Sequence, residues 1–128
     1  MAKNNTPLED DECKAFVKWM ELQGLMFNHI KNENPIRRPG MYMKLKAMGV
    51  RKGFPDYVVL VSEDKSSTGN ALLFFIEMKR QKGSSTSSEQ KEWIRELDKV
   101  KNTGCKICKG ADEAIEFISK YIKSKKKS

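Results

Sequence analysis

Leu72-Leu73-Phe74-Phe75-Ile76-Glu77-Met78-Lys79 is an almost unbroken apolar run that closes on two charges. A short run of this kind, bounded by polar loops, predicts a strand buried on both faces. Side chains alternate along a strand, so Glu77 and Lys79 share a face with Leu73 and Phe75. A second strand is predicted at Tyr57–Val61, and the polar stretch from Glu63 to Asn70 reads as the loop of a hairpin. Antiparallel pairing keeps the sum of paired positions constant, and the centre of that loop sets Asp56 beside Glu77. Two carboxylates at one end of a sheet oppose joint ionisation unless a cation neutralises them. Oxygen donors alone suit Mg²⁺, with Mn²⁺ as a substitute. Such an ion makes a nucleophile of bound water and offsets charge on a phosphodiester in transit. Lys79, on the same face, is suited to orient that water or to balance the developing charge. The plainer alternative is a strand that emerges into solvent at Glu77; the opposed Asp56 counts against it.

The remaining chain predicts an α/β domain. Thr6, Pro7 and Glu9 read as a capped helix start, followed by an apolar stripe of Cys13, Phe16, Val17 and Met20 that ends near Gly24. A strand is expected at 25–30, and a short helix from Met41 to Met48 closed by Gly49. Residues 82–88 read as a surface loop. A helix bearing Trp93, Ile94, Leu97 and Val100 follows, ending at Gly104. Cys105–Cys108 is a short strand, and the last helix runs through Ala111, Ala114, Ile115, Ile118 and Ile122. The expected architecture is a four-stranded mixed sheet flanked by helices, one domain over residues 1–122. The Lys-rich tail at 123–128 is expected to be disordered.

Twenty-five Lys and Arg against 17 Asp and Glu leave a net charge of +8. That excess favours polyanionic partners, because each neutralised phosphate releases condensed counterions. It is equally compatible with a solvated basic surface or an anionic membrane face. Position narrows the choice. Arg37, Arg38, Lys44, Lys46, Arg51 and Lys52 lead into Asp56, and Arg80 and Lys82 follow Glu77, so positive charge brackets the carboxylates on both sides. No apolar run is long enough to cross a bilayer and no signal-peptide core is visible, which predicts a cytoplasmic protein. Three cysteines form no even disulfide framework. Cys105 and Cys108 in one strand point to opposite faces, which disfavours a zinc or redox pair. His29 is expected at a strand edge rather than in a catalytic role.

Taken together, Gly53-Phe54-Pro55-Asp56 and Ile76-Glu77-Met78-Lys79 resemble the PD-(D/E)XK nuclease signature. Ser87-Ser88-Glu89-Gln90 at a helix start, with Trp93, Leu97 and Gly104 downstream, narrows the resemblance to the VRR-NUC family. It runs from about Glu9 to Ile118. The resemblance implies a restriction-endonuclease-like core, Mg²⁺-dependent cleavage of DNA, and kinship with archaeal Holliday-junction resolvases. Stand-alone members of this size look like structure-selective homodimers and are common in phages and prophages. It also implies roles for Gln90 beside the catalytic group and for a glutamate on the first helix reaching the metal. Glu9, at the centre of the apolar stripe, fits that place better than Glu12 at its edge. Both Gln90 and Glu9 have a simpler reading as capping-box partners, of Ser87 and Thr6 respectively. A DNA-binding module of this fold without catalysis is the alternative from another class. Nucleases for flaps or other structured DNA, and a sequence-specific restriction nuclease, are the alternatives within the enzyme class.

Overall fold

The computed structural model describes residues 9–30 and 39–123. Four helices and four strands follow one another as α1 (Glu9–Leu22), β1 (Met26–His29), α2 (Pro39–Ala47), β2 (Tyr57–Val61), β3 (Leu72–Lys79), α3 (Ser88–Leu97), β4 (Thr103–Lys109) and α4 (Ala111–Ser119). The strands form one mixed sheet in the order β1-β2-β3-β4. The first three make an antiparallel meander, whereas β4 lies parallel to β3. A parallel neighbour needs a crossover, and α3 supplies it. The α/β class and the four-stranded mixed sheet flanked by helices are as expected. Thr6, Pro7, Arg37, Arg38 and the tail beyond Lys123 lie outside the described residues.

The two sheet faces are covered unequally. On one, Tyr57, Val59 and Val61 alternate with their β3 partners Ile76, Phe74 and Leu72, and all are buried. Phe16 and Met20 of α1 and Ala114 and Ile118 of α4 close over them, forming the single core. On the other face, Val58, Leu60, Leu73 and Phe75 are only half-buried, and α3, which packs against β4, has no fully buried residue. Phe54 joins this thinner layer by edge-to-face contacts with Phe75 and Trp93, at 5.6 and 4.9 Å between ring centres.

Two expectations are corrected here. Gly104 does not end the α3 helix, which stops at Leu97; it lies inside β4, paired with Phe74. A Cβ at Gly104 would stand 3.1 Å from the Phe74 ring and 3.3 Å from that of Phe117, so the glycine makes room for an aromatic cluster completed by Tyr121. The last helix ends at Ser119, and Ile122 instead forms a bridge with Ser66.

Burial of the α1 glutamates is also the reverse of the wheel. Glu12 is buried and Glu9 exposed. The Glu12 carboxylate accepts the Ala111 backbone N–H at 2.9 Å and the Gln81 side-chain amide at 2.7 Å. It thereby caps α4, whose own N-cap, Gly110, has no side chain to do so. Glu12→Ala leaves that buried N–H without an acceptor and is expected to lower stability by about 1–3 kcal/mol in urea denaturation. An unchanged midpoint would contradict the capping role.

Candidate active site

The register of β2 against β3 builds the site. Tyr57 pairs with Ile76, so one step further along the ladder Asp56 stands opposite Glu77. Each backbone there is held independently. Asp56 Oδ2 accepts the Met78 N–H at 3.0 Å, and the Asp56 carbonyl accepts the N–H of Ile30, which follows β1. The two carboxyl groups are close enough to feel each other's charge. Burial, and then the Asp56 charge, push Glu77 up to about 7. Burial also raises Asp56, against the lowering pull of the Met78 N–H, His29 and Lys79.

Lys79 follows Glu77 on the same face, its Nζ 3.3 Å from Glu77 Oε2. Gln90 reaches both. Its Nε2 donates to Glu77 Oε2 at 2.8 Å, and its Oε1 accepts from Lys79 Nζ at 3.2 Å. The same Oε1 accepts the Ser87 N–H at 2.9 Å, and the Ser87 hydroxyl accepts the Gln90 N–H. The capping box and the contact with the acidic pair are thus one arrangement: capping α3 aims the amide at Glu77. Gly53, with φ +87, brings the loop before Asp56 onto that helix end. A Cβ there would lie 2.7 Å from Glu89 and 2.8 Å from the Gln90 nitrogen, so this close approach requires glycine.

Glu9 is the α1 carboxylate that senses the pair. Partial burial and then Asp56 raise its pKa, and Lys79 and Arg80 oppose the rise. Among the described residues, no three Asp, Glu, His or Cys side chains converge closely enough to hold an ion. The pair itself offers what a hard cation needs. Glu77 Oε1 is buried without a hydrogen-bond partner, while Glu77 Oε2 is taken by Lys79 and Gln90. An orphaned carboxylate oxygen on Glu77, within the electrostatic reach of the Asp56 carboxylate, fits Mg²⁺ or Mn²⁺.

Of the basic residues expected to flank the site, Lys44, Lys46, Arg51, Lys52 and Lys82 are exposed and Arg80 is half-buried. The Arg80 Nε is buried without a partner. Arg51 turns back to donate to the Lys46 carbonyl at 2.8 Å. His29 ends the edge strand β1, as expected, yet its ring stacks on Tyr57 at 4.3 Å between centres and pulls the Asp56 pKa down. Sequence reasoning missed that proximity. Reading the β1–β2 register would have found it, since His29 pairs with the residue after Asp56. Cys105 and Cys108 are buried free thiols, both pushed up to about 12 by burial.

The raised Glu77 value has a signed consequence. The folded chain holds this proton more tightly than the unfolded chain, whose carboxyl titrates near 4.5. The stabilisation is full below that value and is lost as pH rises through about 7. Glu77→Gln, neutral throughout, is therefore expected to melt at least about 3 °C above the unsubstituted protein at pH 8 in EDTA, and close to it at pH 5. Scanning calorimetry checks this; parallel pH profiles would contradict the burial of an acidic pair.

Comparison with known proteins places the chain in a family. The model of the VRR-NUC domain matches residues 2–112. A solved VRR_NUC domain protein superposes with a TM-score of 0.65 at 23% identity, over 94% of this chain and 90% of that one. No curated protein matches. The restriction-endonuclease-like core is shared with that structure. By fold and by family model, the chain belongs to the VRR-NUC family, a nuclease family of the PD-(D/E)XK type.

Proposed function

We propose that this protein is a Mg²⁺-dependent endonuclease that hydrolyses phosphodiester bonds in branched DNA, in the manner of a Holliday-junction resolvase. The observation that carries the reading is the buried, unpartnered Glu77 Oε1 opposite Asp56. A binding module gains nothing from two like charges sharing the end of a sheet, since their mutual repulsion only weakens the fold. In a nuclease the same two groups would hold the metal, and Glu9 on α1, which senses the Asp56 charge, would be the third carboxylate to approach it.

When bound, Mg²⁺ supplies polarisation of the scissile phosphate and a more acidic attacking water. The chain's own residues do the rest. Asp56 is oriented by the Met78 N–H, which fixes its Oδ2. Lys79, held by Glu77 and Gln90, presents its ammonium beside the pair, where it orients the water and offsets charge as the phosphate oxygens become more negative. Gln90 keeps Lys79 and Glu77 in register as a positioning residue. Exposed Lys44, Lys46, Arg51, Lys52 and Lys82, with half-buried Arg80, take flanking phosphates, as Arg37 and Arg38 do in this reading.

One chain carries one such site, and a four-way junction needs two symmetric cuts. The working form is therefore proposed to be a homodimer. Resemblance to stand-alone, phage-type members extends the proposal to a phage- or prophage-encoded enzyme acting in the bacterial cytoplasm. Among the described residues, no helix is long and apolar enough to cross a membrane.

A cleavage panel with Mg²⁺ tests this: four-way junction, flap, splayed arm, linear duplex and single strand. Paired symmetric cuts in the junction are expected. Asp56→Asn and Glu77→Gln should abolish cutting while DNA binding persists. Lys79→Ala should lower turnover by about 10²–10³-fold. A wild-type protein that binds the panel and cuts none of it would favour the non-catalytic module instead.

A further inference from the structure

The two parallel strands end together at the acidic pair. Their register sets Glu77 beside Ile107 and Lys79 beside Lys109. Paired positions on neighbouring strands project from one face, so Lys109 shares with Glu77 and Lys79 the side away from the main core. Burial along β4 follows that alternation. Cys108 is buried in the core and Lys106 stands 5.4 Å over the Phe117 ring, whereas Lys109 is exposed.

The main chain is fixed at this point. Gly110 N–H donates to the Lys79 carbonyl at 3.0 Å, and Lys109 N–H donates to Glu113 Oε1 at 2.9 Å. Lys109 is thereby held one strand spacing, about 4.8 Å, from the lysine of the site.

Two like charges at paired positions weaken a sheet, and an anion bound beside them removes that cost. The protein compensates only one of the two. Lys79 Nζ lies 3.3 Å from Glu77 Oε2 and donates to Gln90 Oε1. Among the described residues, no side chain pairs with the Lys109 ammonium, and Glu113 spends its Oε1 on the main-chain N–H. An exposed, uncompensated cation at the rim of a phosphodiesterase site matches a phosphate of the same nucleic acid strand.

We infer that Lys109 is a further substrate-binding residue, holding the phosphate next to the one that is cut. This rests on the reading of the protein as a DNA endonuclease. It adds a contact from β4 that comes to the site through strand register, not through proximity in sequence to Asp56 or Glu77.

The test compares Lys109→Gln with Lys109→Arg and with Lys101→Gln, which removes one exposed charge just before the opposite end of β4. Circular dichroism checks that each variant keeps the fold. The DNA is the member of the cleavage panel that the unsubstituted chain cuts best. Anisotropy in EDTA is read across a salt series. Lys109→Gln is expected to bind about fivefold more weakly and to lose about one unit of slope in log affinity against log salt. Lys109→Arg, which keeps the charge, should restore most of the affinity, and Lys101→Gln should lose less than about twofold. In Mg²⁺ the Lys109→Gln defect should fall on KM more than on kcat. An uncharged methylphosphonate beside the cut then locates the contact: it should weaken the unsubstituted chain and cost Lys109→Gln nothing further. Equal losses for Lys109→Gln and Lys101→Gln, or penalties that simply add at both phosphates flanking the cut, would overturn the inference while cleavage keeps the endonuclease reading intact. An unsubstituted chain that cuts no member of the panel would remove both readings together.

Discussion

The hydrogen-bonded ladder between β2 and β3 sets the position of every group that matters in the site. Its register carries Asp56 and Glu77 to the same end of the sheet, on the face away from the main core. A slip of one residue would turn Glu77 toward the core of Phe16, Met20 and Tyr57, where an ionised carboxylate has no partner. The apolar alternation of Leu72, Phe74, Ile76 and Met78 resists that slip, because all four would leave the core at once. Hydrophobic burial thus enforces the placement of the acidic pair, although the pair opposes folding once both groups are ionised.

Around this pair the structure spends polar contacts on orientation. Gln90 is at once the closing member of a capping box and the amide that bridges Glu77 and Lys79. A helix terminus is among the best-defined points in a fold, since its first N–H groups demand acceptors. Anchoring Gln90 there, and pressing Gly53 onto the same turn, couples the Asp56 loop to the Glu77 strand through α3. Glu12 does related work on the other side by fixing α1 to the start of α4, one turn beyond Glu9.

How much of this was legible in the sequence depended on the range of the interactions. The strand bearing Glu77 and Lys79, the hairpin that opposes Asp56, and the Ser87–Gln90 cap are patterns within a few residues or across one short loop. They came through with their register. Gly104 did not, because its role is to make room for Phe74 and Phe117, and no local pattern distinguishes that from a helix terminator. Glu12 was misjudged for a similar reason. A wheel counts apolar neighbours on one helix, whereas its burial depends on an N–H far along the chain. His29 reached the neighbourhood of Asp56 through the pairing of β1 with β2, which hydrophobic periodicity does not reveal.

The central proposal is that Asp56 and Glu77 take up a divalent cation in exchange for the proton that burial holds on Glu77. Titrating Mn²⁺ into the protein near pH 7, with simultaneous measurement of bound ion and released protons, tests it most directly. The account predicts saturable uptake accompanied by proton release, with both absent in Glu77→Gln. Uptake of the same strength in that variant, or none in the unsubstituted chain, would contradict it.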